Sequence, residues 1–298
     1  QGIEITLNTR PVQTGDFAWD LNFNFSKNSN EVKKLVDNMD MFELEKASWL
    51  DVQIAAKVGE NFGSIVGPDF VRNKNGDILI DPQTGLPKYD KSNHVLGNAS
   101  WDWTGGISTS LHYKNLSLSA LFDIKVGADL YSMSARAAHE SGKSPATLKG
   151  RDEWYHSEEL RQEAGIPKGS SEWKPTGGFV APGVIDNGDG TYRKNDIIIN
   201  PEDYWMSVCR NAPSMFIYDN SYVKCREIVL AYQLPKKWLG KVIQDMSVSF
   251  VARNPFIVWK NIPNIDPDSN YNNTTGMGLE YGSLPSRKSY GINVNIKF

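Results

Sequence analysis

Six aromatic side chains in the second half of the chain are of the types that could bind a ligand. Aromatic faces stack on sugar rings and on peptide side chains. The same side chains could instead pack a long segment that would otherwise lack a core. This packing interpretation is the simpler one, because nothing in the sequence fixes their mutual geometry. The six candidates are Trp154, Tyr155, Trp173, Tyr192, Tyr204 and Trp205.

No motif for catalysis is complete in the sequence. Gly142-Lys143-Ser144 resembles the end of a phosphate-binding loop, but Ala137 stands where that loop needs its first glycine. The four histidines are scattered and form no HExxH motif, and no GxSxG nucleophile turn is present. We therefore predict that the chain is not an enzyme, with no catalytic residue and no cofactor.

A metal site is not predicted either. The run from Asp186 to Gly190 (DNGDG) places oxygen ligands at the close spacing that Ca²⁺ prefers, but it lacks the glutamate that ends an EF-hand loop. Asn-Gly and Asp-Gly are ordinary turn formers, so a plain turn is the better prediction.

The sequence contains two cysteines, Cys209 and Cys225. They could form one disulfide in an oxidising compartment or remain free thiols, and the sequence leaves both possibilities open.

The composition of the 298 residues excludes some partners and leaves others open. The net charge is −3, whereas a nucleic-acid-binding face would normally make the chain basic. No apolar run approaches the ~18 residues of a transmembrane helix. A barrel in a membrane would not show such a run, because its lipid-facing residues alternate with polar ones.

Alternation of apolar and polar residues is the strongest pattern in the sequence, and it predicts about nine strands. Short and long connections alternate between these strands. An outer-membrane barrel has this arrangement, since its periplasmic turns are short and its extracellular loops are long. The predicted strands cover residues 3–10, 16–26, 52–58, 62–71, 107–113, 116–126, 227–233, 247–253 and 290–298.

The longest connection, residues 128–219, is too long to lack structure of its own. Helix-like spacing predicts helices over residues 130–139 and 151–164. A further segment, residues 73–87, is predicted to form a hairpin with Asn75-Gly76 as its turn.

Several segments resemble the C-terminal part of SusC/RagA-type TonB-dependent transporters of the Bacteroidetes. The most specific is the run from Tyr222 to Pro235 (YVKCREIVLAYQLP). Residues 252–256 (ARNPF), 261–267 (NIPNIDP) and 289–298 (SYGINVNIKF) are similar to other stretches of these proteins, and residues 2–5 and 101–106 (WDWTGG) look like two further landmarks. The resemblance spans nearly the whole chain.

The resemblance implies an all-β fold, an antiparallel transmembrane β-barrel segment with long extracellular loops. About nine strands of a larger, roughly 22-stranded barrel are expected here. Residues 1–298 are expected to be the C-terminal part of that barrel, with the plug, the TonB box and the N-terminal strands outside this chain. Residues 128–219 are expected to be a long extracellular loop with short helices.

The implied function is TonB-dependent import of oligosaccharides or peptides across the bacterial outer membrane. This chain would supply barrel wall and loops that contact a lid. The implied partners are a SusD-like surface lipoprotein as the lid, TonB acting through the plug, membrane lipid and the barrel assembly machinery. The last strand resembles the signal that this machinery recognises, in its alternating residues Tyr290, Ile292, Val294, Ile296 and Phe298.

The alternative is a soluble β-rich module that binds or hydrolyses glycans, with the same aromatic side chains lining a cleft. The two hypotheses place the alternating apolar residues differently. The transporter requires them on one outer face, whereas the soluble module requires them in a closed core. The residues whose placement distinguishes the two hypotheses are Phe23, Leu118, Phe122, Phe250 and Ile292.

Overall fold

The computed structural model describes residues 1–46, 51–272 and 274–298. The first part of the chain, up to residue 126, consists of strands. They are β1 (Gly2–Gln13), β2 (Phe17–Asn28), β3 (Met41–Lys46), β4 (Gln53–Lys57), β5 (Ser64–Phe70), β6 (Tyr89–Asn98), β7 (Trp103–Tyr113) and β8 (Leu116–Val126).

The rest of the chain combines short strands and helices with three long strands. The middle part contains β9 (Asp129–Ser132), α1 (Met133–Glu140), α2 (Arg151–Glu163), β10 (Phe179–Val180), β11 (Val184–Asp186), β12 (Tyr192–Lys194), β13 (Ile198–Ile199), α3 (Pro201–Asn211) and β14 (Ile217–Asp219). The last part contains β15 (Tyr222–Gln233), β16 (Asp245–Lys260), β17 (Leu279–Glu280) and β18 (Ser289–Lys297). Within the described ranges, no helix has both the length and the apolar character needed to cross a membrane.

Seven long strands form one antiparallel sheet, which we call the large sheet. Its order is β1-β2-β7-β8-β15-β16-β18, so each strand pairs with its neighbour along the chain once the smaller sheets are set aside. Among the described residues β1 and β18 form its two edges. The predicted all-β, antiparallel fold class is confirmed.

One face of the large sheet, which we call the apolar face, is lined by rows of apolar side chains. Directly paired residues of antiparallel strands project to the same side. Phe250 is 47% exposed and Ile292 is 76% exposed, so none of the described residues forms a second layer over this part of the face. One register row crosses all seven strands through Val12, Trp19, Leu111, Leu118, Leu230, Phe250 and Ile292.

The five residues that separate the two hypotheses all lie on the apolar face. Leu118, Phe250 and Ile292 share the row just given, and Phe23 and Phe122 are joined in a second row through Ile107. None of the five belongs to a buried core cluster of the described residues. The register therefore agrees with the arrangement that a barrel wall requires.

The opposite face of the large sheet is mostly polar. Asn8, Asn22 and Ser108 form the start of one row, and Glu227, Arg253 and Ser289 continue it on the other side of the sheet. Apolar side chains interrupt this face at several positions, among them Leu121, Val229 and Val251. We call it the polar face.

All short connections of the large sheet lie at one end and all long connections at the other. Residues 14–16, 114–115 and 234–244 make the short turns. The long connections are called the first excursion (residues 29–102), the second excursion (residues 127–221) and the third excursion (residues 261–288). The predicted alternation of short and long connections is therefore found in the structure.

The large sheet has seven strands, where the sequence pattern predicts about nine. The segments predicted as strands at residues 52–58 and 62–71 form β4 and β5, but these belong to a separate four-stranded sheet, β3-β4-β5-β6, in the first excursion. Val52, Ile54, Ala55 and Ala56 are all buried. When the side chains on both faces of a strand are buried, the sequence pattern does not show whether the strand joins the large sheet or a smaller one.

The helices of the second excursion follow the prediction in part. α2 matches the predicted helix to within one residue. α1 begins three residues later than predicted, because Asp129–Ser132 forms β9 between β14 and β17, and the Ser132 hydroxyl accepts the cap hydrogen bond from the Ala135 N–H. α3 was not predicted, although Asn200 caps it and Pro201 stands at its first turn. The predicted hairpin at residues 73–87 forms, with Gly76 in its turn at φ 88°.

The three excursions pack together rather than lying separately. One core cluster contains Val52 and Ile54 from the first excursion, Tyr131 and Phe216 from the second, and Leu279 from the third. A buried hydrogen bond from the Ser132 hydroxyl to the Glu280 carboxylate, 2.9 Å long, also joins the second and third excursions. We call the packed excursions the cap.

Candidate functional site

The second excursion contains a pocket of about 490 Å³, which we call the loop pocket. A pocket of this size lies within the range of ~300–1,000 Å³ typical of small-molecule sites. Its walls come from the end of α1, the turn after it, α2 and the start of α3. The lining residues are His139, Glu140, Ser141, Gly142, Thr147, Arg151, Trp154, Tyr155, Glu158, Gln162, Lys168, Asn200, Pro201, Glu202 and Trp205.

Arg151 holds the wall of the loop pocket between α1 and α2. Its Nε donates to the Thr147 carbonyl oxygen at 2.8 Å, and its Nη2 donates to the Gly142 carbonyl oxygen at 2.8 Å. The imidazole of His139 lies against the indole of Trp205, with ring centroids 4.8 Å apart. The Gly142-Lys143-Ser144 segment therefore contributes one backbone acceptor, the Gly142 carbonyl oxygen, to Arg151, which is a structural role.

Two of the acidic side chains that line the loop pocket, Glu140 and Glu158, are paired with arginines of the same chain. Glu158 binds Arg161 at 3.0 Å, and Glu140 lies 3.6 Å from Arg136 and 3.7 Å from Arg210. In the described parts of the chain, no group of three or more His, Cys, Asp or Glu side chains is placed to hold a metal ion. The arrangement can bind a molecule by stacking and hydrogen bonding.

The structure brings three of the six predicted aromatic residues together in the loop pocket. They are Trp154, Tyr155 and Trp205. Tyr155 is 65% exposed, whereas Trp205 is 9% exposed and its buried indole Nε1 has no hydrogen-bond partner in the described part of the molecule. Tyr155 therefore offers an exposed ring on which the flat apolar face of a ligand can stack, while Trp205 is part of the buried wall.

The other three predicted aromatic residues lie outside the loop pocket. Tyr204 is buried against Phe179, with ring centroids 4.5 Å apart, and burial raises the pKa of its phenol to about 12. Trp173 and Tyr192 are half-buried and do not line the pocket.

The DNGDG run forms the predicted turn, between β11 and β12, where Asp186 accepts a hydrogen bond from the Gly188 N–H and Asp189 accepts one from the Thr191 N–H.

A second cluster, which we call the anchor network, joins the third excursion to the large sheet. Its centre is Lys224 of β15, whose side chain is only 2% exposed. The ammonium Nζ donates to Asp266 Oδ1 at 3.1 Å and to Asp268 Oδ2 at 2.6 Å. It also donates to the Ser286 hydroxyl at 2.5 Å. Both aspartates belong to the third excursion, so a buried charge on the sheet holds this connection in place.

Arg226 extends the anchor network across the sheet. Its guanidinium binds Asp268 through both Nη atoms, at 2.5 Å and 2.9 Å, and binds Asp123 of β8 at 2.5 Å. The phenol of Tyr222 donates to Asp268 at 2.9 Å. Burial alone would raise the pKa of Asp268, but hydrogen bonds from Arg226 and Lys224, together with their positive charges, outweigh burial and lower it. Asp268 is therefore ionised at neutral pH.

A β-bulge between Cys225 and Glu227 positions Arg226. The bulge changes the alternation, because Cys225 pairs with Phe122 of the apolar face, whereas Glu227 pairs with Leu121 of the polar face. Unbroken alternation back from Ile228 and Leu230 would put Cys225 on the polar face, and the bulge puts it on the apolar face instead. Cys225 and Cys209 are both buried free thiols.

Comparison with known proteins agrees with the resemblance given by the sequence motifs. No family model matches the chain. TonB-dependent receptor P3 of Formosa agariphila is 23% identical over 325 residues, which cover 100% of this chain and 28% of that protein. TonB-dependent receptor SusC of Bacteroides thetaiotaomicron is 22% identical over 311 residues, which cover 100% of this chain and 26% of that protein.

Solved structures show the same fold. A structure of the RagAB peptide transporter superposes with a TM-score of 0.59 at 17% identity, over 98% of this chain and 28% of that chain. The RagAB importer in its open-open state gives a TM-score of 0.55 at 16% identity. The predicted similarity to SusC/RagA-type TonB-dependent receptors is confirmed, and the chain spans just over a quarter of the length of the curated relatives given above.

Lys224→Met in the full-length protein should release the third excursion from the large sheet. Removing one partner of a buried ion pair leaves uncompensated charge and costs about 3–5 kcal/mol. Amide hydrogen exchange of residues 261–288 should therefore become about 100-fold faster or more. Arg253→Met is the matched control, because Arg253 forms an exposed ion pair with Glu227 at 3.0 Å. Loss of an exposed pair should lower the free energy of unfolding by under about 1 kcal/mol. Equal exchange in both variants would contradict the anchoring role.

Proposed function

We propose that this chain is a C-terminal wall segment of an outer-membrane, TonB-dependent importer of oligosaccharides or peptides. The observation that carries this proposal is the uncovered apolar face of the large sheet, with all three excursions at one end of its strands. A contiguous apolar surface of this kind is rare on soluble monomers and marks a contact with another apolar phase. Lipid provides that phase along the whole row.

The energetics of a bilayer support the same assignment. Lipid offers no hydrogen-bond partner, so each strand in a membrane must pair its backbone with neighbouring strands. The five inner strands of the large sheet are paired on both sides. In the proposed protein, strands outside this chain pair with β1 and β18 and complete the wall. The plug and the TonB box belong to that remaining part, and TonB acts through them.

The cap is the proposed extracellular part of the segment. Its three excursions lie at one end, as loops on the cell surface do in barrels of this class. Leu148 and Leu284 expose large apolar side chains on this cap, and such side chains suit a contact with a protein lid. We assign the lid to a SusD-like surface lipoprotein, as the similarity to SusC and to RagAB suggests.

The loop pocket is the proposed ligand contact of the cap. Trp154, Tyr155 and Trp205 provide two indoles and a phenol around one cavity. Sugar rings and aromatic or aliphatic peptide side chains both stack on such faces. The chain has no chemistry of its own in this proposal, and it contributes wall, polar lumen surface and binding loops.

The soluble glycan-binding or glycan-hydrolysing module is the weaker hypothesis. It needs Leu118, Phe250 and Ile292 in a closed core, whereas all three are exposed on one face. No observation on the described residues favours the soluble module over the importer.

Matched substitutions on adjacent residues test the wall assignment. Phe250→Lys places a charge on the apolar face, and Val251→Lys places the same charge on the polar face one residue away. In lipid vesicles, Phe250→Lys should destabilise the full-length protein by about 2–4 kcal/mol more than Val251→Lys. The thermal unfolding midpoints of the two variants measure this difference. Equal midpoints would show that the apolar face does not contact lipid.

Trp154→Ala and Tyr155→Ala test the ligand contact. Loss of either ring should raise the half-saturation concentration for uptake by about fivefold to tenfold, because stacking contributes up to ~1.5 kcal/mol beyond buried area. Uptake of labelled oligosaccharides and of labelled peptides by cells that depend on this importer provides the measurement. Tyr192→Ala, outside the loop pocket, is the control and should leave uptake unchanged. Unchanged uptake of both substrate classes in the pocket variants would refute the contact.

Phe298→Lys tests the proposed assembly signal, whose alternating residues end at Phe298. Phe298 is exposed and directly follows β18, which ends at Lys297. The variant should lower the amount of full-length protein in the outer membrane, as measured by fractionation and blotting. Lys297→Gln, one residue away on the other face, should not. Normal insertion of Phe298→Lys would count against the signal.

A further inference from the structure

The short turn at residues 234–244 differs from the other two short turns of the large sheet. It is the longest of the three, and it contains a single turn of 3₁₀-helix, Lys236–Trp238. Both ends are held to the sheet, since the Leu234 N–H donates to the Met246 carbonyl oxygen and the Gln244 N–H donates to the Lys297 carbonyl oxygen, each at 2.8 Å. The turn is a folded element with a defined outer surface.

The outer surface of this turn combines exposed apolar and basic side chains. Trp238 is 62% exposed and Val242 is 73% exposed, although Leu239 between them is buried. Exposed apolar side chains that are rimmed by charged residues mark contact sites with proteins or membranes. The basic side chains are Lys236, Lys237 and Lys241, and all three are exposed.

The charge of these lysines is not balanced locally. Residues 234–244 contain three lysines and no acidic residue, and none of the three forms an ion pair within the described ranges. The other Lys-Lys pair of the chain, in the first excursion, is neutralised, because Lys33 binds Glu31 at 2.5 Å and Lys34 binds Asp37 at 2.9 Å. The turn therefore presents three uncompensated positive charges beside an exposed indole.

The turn lies just beyond an aromatic belt on the apolar face. One register row at this end of the sheet contains Phe17, Tyr113, Leu116, Tyr232, Val248 and Val294. Tyrosine and tryptophan side chains concentrate where a bilayer meets water. Pro235 follows Tyr232 by three residues, which at about 3.3 Å per residue and a strand tilt of about 45° places the turn roughly 7 Å beyond the belt. This is the depth of lipid headgroups.

We infer that the turn at residues 234–244 is a binding site for anionic phospholipid headgroups. Lys236, Lys237 and Lys241 attract the phosphates, and Trp238 and Val242 enter the boundary between headgroups and acyl chains. Basic residues with aromatic neighbours at a membrane surface bind anionic lipid in this way. The inference rests on the proposed function, because it needs the apolar face to be in a bilayer.

A fluorescent label on residue 242 tests this inference in the full-length protein. With every cysteine outside this chain replaced by serine, Val242→Cys is labelled selectively, since Cys209 and Cys225 are buried. The protein is placed in lipid nanodiscs that contain nitroxide-labelled phosphatidylglycerol or nitroxide-labelled phosphatidylcholine. The phosphatidylglycerol probe should quench the label more strongly than the phosphatidylcholine probe. At low ionic strength, the affinity of the turn for phosphatidylglycerol relative to phosphatidylcholine should fall by about fivefold for each lysine removed. High salt should reduce the preference.

Variants provide the controls for the charge. Lys236→Gln, Lys237→Gln and Lys241→Gln together should remove the preference for phosphatidylglycerol. Lys33→Gln and Lys34→Gln together, in the cap, should leave it unchanged. A preference that survives the triple substitution would overturn the inference.

Leu118→Cys, labelled in the same way, separates the two proposals. If both lipid probes quench residue 118 but residue 242 is quenched only by aqueous iodide, the turn lies in water and the inference fails alone. If residue 242 is shielded from lipid and iodide alike, a protein covers the turn and the inference also fails. If residue 118 is not quenched by either lipid, the proposed wall fails as well.

Discussion

The two-residue period of an extended chain is the constraint on which the rest of this structure depends. Successive side chains of a strand project to opposite faces, so pairing seven strands in register assembles two continuous surfaces from residues far apart in sequence. The row from Val12 to Ile292 shows the result on the apolar face. A surface of this kind is stable only against lipid or a second layer, and the residues that the structure describes form no second layer over it. The same pairing forces every connection to one of two ends.

Where the period is broken, the structure has a local reason and a local use. The bulge after Cys225 inserts Arg226 beside Lys224, and together they face three carboxylates, Asp123, Asp266 and Asp268. Taking these charges out of water is costly, and only mutual pairing with several hydrogen bonds offsets the cost. The network therefore fixes the third excursion on the sheet, and the cap packs on that base. The loop pocket lies in this cap, away from the regular strands.

The sequence predicted the features that repeat and missed those that occur once. Alternation located all seven strands of the large sheet, because each has one exposed apolar face. It also took β4 and β5 as wall strands, since a strand buried on both faces, like Val52 to Ala56, carries no signal of its partner sheet. Among the six aromatic candidates, Tyr204 and Trp205 are adjacent in sequence and belong to the same buried cluster, yet only Trp205 also lines the pocket. The roles of Lys224 and Asp268 depend on a contact between positions 44 residues apart, which spacing along the chain could not reveal.

The central claim is that one face of the large sheet contacts lipid and the other contacts water. The most direct test is a spin-label scan along β8, from Leu116 to Val126, in the full-length protein in lipid vesicles. Collisions with oxygen dissolved in the acyl chains and with a water-soluble nickel complex are measured at each position. The account predicts two opposite two-residue periods, with oxygen favoured at Leu118, Ala120 and Phe122 and nickel favoured at Ser117, Ser119 and Asp123. The account is contradicted if labels at positions 118, 120 and 122 are shielded from both oxygen and the nickel complex. It is also contradicted if labels on the two faces of β8 show the same accessibility.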